Sequence, residues 1–210
     1  MLPAGRGDSA MTFEAYYGEA LSQLRRMEQD LLGLLKQYPA RRALEDVQPI
    51  LYCKSRIKEP GSTIRKLESR GFSTDAQTGL RELHDILGIR IVCSFMDDVY
   101  EISQWLHDRK EIQIIAEKDY IAYPKPNGYR SLHLILRFAN GTGDEPMAEI
   151  QLRTIAIDSW AALEHQIKYK RQIQYEKIIQ DELKRCADEI ASVDMSMQAL
   201  RDILWENKWI

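Results

Sequence analysis

Apolar residues recur at spacings of four and three from Phe13 through Tyr17, Ala20, Leu24, Met27, Leu31 and Leu34 to Tyr38. That period predicts one amphipathic helix, ended by Pro39. Its stripe is a packing surface, for the body of the protein or for a partner helix. Past a stretch rich in breakers, Lys54 to Lys58 (KSRIK) reads as a short irregular or extended piece. Pro60, Gly61 and Ser62 then open a helix that closes at Gly71. Ile86 to Phe95 is β-branched and apolar on both sides, as a central strand is. Asp97 is placed to cap a helix to about Arg109 that buries Val99, Ile102, Trp105 and Leu106, and Glu111 to Glu117 follows as another strand.

The stretch Asp119 to Arg137, DYIAYPKPNGYRSLHLILR, packs prolines, a glycine, a lysine, an asparagine and tyrosines into a loop and then turns apolar. A strand from Ser131 to Phe138, a turn at 140–143 and a strand from Met147 to Arg153 form a hairpin. Alternation sends Ala148, Ile150 and Leu152 to one face and Glu149, Gln151 and Arg153 to the other, with Ser131 and His133 matching the polar set. Thr154 begins a helix carrying Trp160, Leu163, Glu164, His165 and Tyr169. A last long helix has a stripe at Ile179, Leu183, Ala187, Ile190, Val193, Met197, Leu200 and Leu204. Two long helices at the chain ends predict either self-association or packing of the two on each other.

The strand–helix order predicts an α+β (mixed α/β) fold with a mixed sheet. We divide it into a leader and amphipathic helix at 1–45, a central domain at 46–170 and a C-terminal helix at 171–210. A hydrophobic share of 44% and a charged share of 29% are those of a soluble globular protein without a membrane-length apolar run. The first ten residues, MLPAGRGDSA, lack an apolar signal core. Cys53, Cys93 and Cys186 are an odd number without CxxC spacing, which fits a reducing cytoplasm better than a disulfide framework or a thiolate zinc site.

A net charge of −3 argues against bulk-charge nucleic-acid binding, yet six basic residues against two acids lie between Cys53 and Arg70. Lys58, Ser62 and Lys66, four apart, line one side of a helix near Pro60. No P-loop or GxGxxG pattern occurs, so any phosphates must be held by side chains. The dipeptide His84–Asp85 suggests a metal phosphohydrolase, but the other histidines are scattered over unlike elements and that reading is rejected. What remains is a pair of carboxylates, Asp85 and Glu149, among cations. Converging, they would suit Mg2+, whose shell phosphates complete; apart, they are ion-pair partners of Arg90 and Arg153. Asp85 and Arg90 are five apart and share a face only with a bulge at Gly88, or with Asp85 before the strand proper.

HDILGIRIVCSF, DYIAYPKPNGYRSLHL and AEIQLRT, followed by WAALEHQIKYK, resemble the synthetase domain of the RelA/SpoT homologue family, over roughly Lys54 to Lys170. The chain is similar to the stand-alone small alarmone synthetases, which make the stringent-response nucleotides ppGpp and pppGpp. The resemblance implies a nucleotidyltransferase-like sheet, a homotetramer, and transfer of the β,γ-pyrophosphate of ATP to the ribose 3′-hydroxyl of GDP or GTP. It also implies site residues. Arg56 and Arg90 would sandwich adenine, and Lys58, Ser62 and Lys66 would contact the ATP phosphates. Asp85 would bind Mg2+, with Glu149 joining it or acting as general base. Tyr129 would stack on guanine, and Lys125, Asn127, His133 and Gln151 would hold the acceptor's phosphates, ribose or base edge. Where relatives often carry another basic residue, this chain has Ser69, with Arg70 next. Two alternatives stay open: a pyrophosphokinase acting on the 3′ end of tRNA, and a non-catalytic nucleotide- or RNA-binding regulator.

Overall fold

The structure, a computed structural model, describes residues 11–39, 48–139, 145–169 and 176–206. The first ten residues and the hairpin turn at 140–143 lie outside them. Five strands form one mixed sheet in the order β1-β2-β5-β4-β3. These are β1 (Ile50–Ile57), β2 (Leu87–Cys93), β3 (Ile112–Asp119), β4 (Leu132–Phe138) and β5 (Ala148–Thr154). Only β2 and β5 run parallel; the other neighbours are antiparallel.

The register sorts side chains onto two unlike faces. Ile89 and Ile91 of β2 lie beside Ile150 and Leu152 of β5, which lie beside Leu134 and Leu132 of β4. All six are buried in the main core, so this face is sealed. The other face carries two rows across the sheet. One runs Arg56, Gly88, Glu149, Ile135; the next runs Lys54, Arg90, Gln151, His133, Lys118. Because side chains alternate with a period of two, the apolar set that buries one face fixes which polar set meets solvent on the other.

The apolar face is covered by α1 (Phe13–Tyr17), α2 (Ala20–Leu35) and α5 (Met96–His107), whose buried residues join the same core. The first predicted helix is therefore two. Gly18, with φ +53°, sits outside the right-handed region and breaks it, while the stripe from Tyr17 to Leu34 stays buried. KSRIK is extended: Lys54 to Ile57 form the second half of the eight-residue strand β1, and Lys58 follows its end. Helix α3 (Pro60–Glu68) begins at Pro60 as expected, and Gly71, with φ +74°, follows its end. A further helix, α4 (Ala76–Glu82), capped by the Asp75 carboxylate on the Thr78 N–H, had no counterpart in the sequence reading. The cap of α5 is made by Asp98, which accepts from the Phe95 N–H, with Asp97 inside the first turn.

Thr154 does start α6 (Ile155–Tyr169): its hydroxyl accepts from the Ile157 N–H. The last helix, α7 (Glu176–Glu206), rests on α6 through a small cluster of Trp160, Ala161, Leu183 and Ala187. The stripe on α7 is split. Leu183 and Ala187 are buried, whereas Val193, Met197, Leu200 and Leu204 are more than half exposed. The two terminal helices take different supports: α2 packs on β1 and β2, and α7 on α6 and α5.

Candidate active site

The site lies on the polar face, where β2 and β5 run side by side. Asp85 precedes β2, in the turn after α4, so it need not obey the strand's alternation. That resolves the parity conflict with Arg90 without a bulge, since β2 pairs in unbroken register with both neighbours from Gly88 to Val92. Lys58 and Lys66 both reach one oxygen of Asp85, Oδ2, at 2.8 and 2.7 Å. Oδ1 is buried and has no partner. Burial pushes the Asp85 carboxyl up, but the hydrogen bonds and charges of the two lysines outweigh it and bring its pKa down to about 2. Ser62, between the lysines in sequence, instead accepts from Arg65.

Glu149 stands opposite Gly88. A methyl at Gly88 would lie 4.0 Å from Arg56 Cγ, so this position leaves open room between Arg56 and Glu149. His133 Nδ1 lies 3.0 Å from Glu149 Oε1, and Gln151 Nε2 donates to Oε2 at 2.8 Å. Burial raises the Glu149 pKa, His133 and Gln151 lower it, and the net direction is down even with the Asp85 charge opposing. The two carboxylates are thus close enough to repel each other. Neither pairs with the arginines that composition offered. Arg90 and Arg153 both bind Asp158, on the first turns of α6, at 3.2 and 3.1 Å, and Tyr52 donates to its other oxygen.

Asp158 is the residue that sequence reasoning missed; Arg153 was placed on the polar face but not among the site residues. The available signal was an acid in the opening turns of the helix that follows an arginine-bearing strand. Its partners, though, lie far away in the chain, at Tyr52 and Arg90. Arg90 keeps its Nε buried and unpartnered, and burial together with the Arg153 charge lowers its pKa. Arg56 is exposed at the edge of this face.

The loop between β3 and β4 closes the other side. Lys125 and Gly128 bracket a tight turn, the Gly128 N–H donating to the Lys125 carbonyl at 2.8 Å. Gly128 has φ +86°, and a Cβ there would meet Ala187 Cβ at 2.7 Å and Lys184 Cα at 3.0 Å. Helix α7 is therefore the backstop of the loop. Asn127 is turned into the protein, donating to Glu164 and accepting from the Tyr129 N–H. Tyr129 is half-buried, with the Lys125 ammonium 4.8 Å from its ring centre. Its hydroxyl lies 2.9 Å from His133 Nε2 and accepts from Arg153 at 2.6 Å.

Of the predicted site residues, Asp85, Lys58 and Lys66 meet, as do Glu149, His133, Gln151 and Tyr129. Ser62 and Asn127 have their polar atoms engaged within the protein. For a metal, the donor set fits Mg2+ and not a caged transition metal. Asp85 Oδ1 is a buried oxygen with both lone pairs free, and among the described residues no group of three His, Cys, Asp or Glu stands ready to enclose an ion.

Two carboxylates on a basic sheet face beside an aromatic, lysine-bearing loop make a site for phosphorylated, planar ligands. The chain belongs to the family described as "Region found in RelA / SpoT proteins", which matches residues 55–174. It is 42% identical to GTP pyrophosphokinase YwaC of Bacillus subtilis over 156 residues, 73% of this chain and 74% of that one. The crystal structure of small alarmone synthetase 2 from Bacillus subtilis superposes with a TM-score of 0.71 at 36% identity, covering 87% of this chain and 94% of that one. Small alarmone synthetase 1 of the same organism, bound to its product pppGpp, gives 0.70 at 28% identity over 87% and 93%.

Proposed function

We propose that this protein is a GTP pyrophosphokinase that transfers the β,γ-pyrophosphate of ATP to the ribose 3′-hydroxyl of GDP or GTP, forming ppGpp or pppGpp and releasing AMP. The observation that carries this reading is a pair of carboxylates between a basic side and an aromatic loop: Asp85, gripped by Lys58 and Lys66 with one oxygen bare, and Glu149, held by His133 and Gln151 beneath Tyr129. Its support from relatives is that YwaC is a GTP pyrophosphokinase and that small alarmone synthetase 1 binds pppGpp.

Arg56 and Arg90 would hold adenine, and Lys58 and Lys66 would take phosphate oxygens once they leave Asp85. Ser62 lies beside them on α3. Lys125 and Tyr129 would hold the guanosine nucleotide, with His133 and Gln151 helping to fix it. The acceptor 3′-oxygen attacks the β-phosphorus of ATP, the bond from that phosphorus to the α,β-bridging oxygen breaks, and Glu149 takes the hydroxyl proton. Asp85 Oδ1 and Glu149 would hold Mg2+, which supplies charge neutralisation on the phosphates. The exposed half of the α7 stripe supports assembly into a homotetramer, tested by sedimentation. We take the reaction to be cytoplasmic, where both nucleotides are; among the described residues no helix is long and apolar enough to cross a membrane.

The deciding experiment incubates the protein with ATP, Mg2+ and either GDP, GTP or tRNA, and separates the products. Equal amounts of AMP and a pyrophosphorylated guanosine nucleotide are expected. Label from γ-labelled ATP on tRNA alone, or no transfer, would overturn the reading.

A further inference from the structure

Arg153 is almost wholly buried, with its side chain 4% exposed, and its hydrogen bonds go to Ser131, Asp158, Tyr129 and Gln151, none of them a position assigned to the ATP phosphates. It is instead the root of two hydrogen-bonded arms that end on the two oxygens of one carboxylate. In the first, Arg153 Nη2 donates to the Tyr129 hydroxyl, which is bonded to His133 Nε2, and His133 Nδ1 meets Glu149 Oε1. In the second, the same Nη2 donates to Gln151 Oε1 at 3.0 Å, and Gln151 Nε2 donates to Glu149 Oε2. A guanidinium only donates and a carboxylate only accepts. With both ends fixed, the Gln151 arm runs in one direction, from Arg153 to Glu149, and the His133 arm runs the same way when the imidazole is neutral with its proton on Nδ1.

Arg153 is held in turn. Nη1 donates to Asp158 Oδ1, the atom that Arg90 also binds, and Nε reaches Ser131 at 3.4 Å. Asp158 therefore joins the acceptor-side assembly to an arginine of the donor side. A buried carboxylate shared by two guanidiniums ties them together: among the described residues Arg153, 4% exposed, has its charge paired only here, and Arg90, 34% exposed, is held on the same oxygen.

We propose that Arg153 is the positioning residue for pyrophosphate transfer, setting Glu149 through both its oxygens, and that Asp158 couples this assembly to Arg90. The inference rests on the proposed function and deepens it. Arg153→Lys keeps a cation for Asp158 but lacks the planar fork that serves two arms at once. Turnover of ATP with GDP should fall about a hundredfold while KM for ATP stays within about twofold. Asp158→Asn should in addition weaken binding of the ATP analogue AMPCPP about fivefold, read by calorimetry on the full chain, since Arg90 loses its anchor.

A merely structural role would lower the binding stoichiometry and leave the affinities of the folded fraction alone. Turnover of Arg153→Lys within about threefold of wild type would overturn the positioning role. Unchanged AMPCPP affinity in Asp158→Asn would overturn the coupling. If Asp158→Asn does not fold, Tyr52→Phe, which removes one hydrogen bond to Asp158, replaces it with an expected loss of about twofold, and unchanged affinity counts against the coupling. A wild-type chain that binds AMPCPP but forms no guanosine product would refute the proposed function and the role in transfer; the coupling would still stand or fall on the AMPCPP measurement.

Discussion

On the donor side two lysines crowd one oxygen of Asp85 and leave the other bare, and Arg90 buries an Nε with no partner. On the acceptor side Arg153, Tyr129, Gln151, His133 and Glu149 are bonded in sequence and closed on themselves. The first region is charge waiting for charge, since phosphates and a cation must displace contacts the protein makes with itself. The second is built before any ligand arrives. A phosphoryl transfer needs both kinds: a donor clamp that exchanges partners on binding, and a base whose placement does not depend on binding.

The comparison breaks most sharply at Asp85. Asp85→Asn should lower transfer by about a thousandfold, because the proposed Mg2+ would lose its bare oxygen and the lysines would lose the anion between them. Product formation with ATP and GDP measures it. Next comes the acceptor loop. Tyr129→Ala removes the ring and the hydroxyl together, and KM for GDP should rise about tenfold or more, as loss of a stacked base implies. Tyr129→Phe keeps the ring and cuts one arm to Glu149; turnover should fall about tenfold at nearly unchanged KM for GDP.

A smaller effect is expected at Gly128, where an added methyl has neither a permitted φ nor room against Ala187. Gly128→Ala should cost about 1–3 kcal/mol in urea unfolding and raise KM for GDP but not for ATP. The smallest effect is on acid stability. The Asp85 pKa is depressed in the folded state, so its contribution is full above the ordinary carboxylate value near pH 4 and is lost as pH falls through about 2. Unfolding curves of wild type and Asp85→Asn should therefore differ less at pH 2 than at pH 6.

Much of the acceptor side was legible in the sequence because β5 alternates cleanly. The parity of Glu149, Gln151 and Arg153 against Ser131 and His133 follows from a period of two, and the register His133 to Gln151 matches it. The stretch of β2 was legible for a different reason, a continuous β-branched and apolar run. By contrast β1 hid behind its charges: Lys54 and Arg56 interrupt the apolar run although they simply occupy the open face. Helix α4, AQTGLRE, buries only Gly79 and presents almost no stripe. The break at Gly18 was masked by a hydrophobic period that continues across it. Asp158 escaped because its role is set by residues 106 and 68 positions away, Tyr52 and Arg90, a contact that no local pattern carries.

The central claim is that one carboxylate, Glu149, serves the hydroxyl while two nucleotides sit on either side of it. The most direct test is the single-turnover rate of Glu149→Gln with ATP and GDP both bound. The amide keeps the shape and the contact with Gln151 but cannot take a proton. We predict binding of both nucleotides within about threefold of wild type and transfer slower by about a thousandfold. Transfer at more than about a tenth of the wild-type rate would contradict the assignment of Glu149 as the group that accepts the proton.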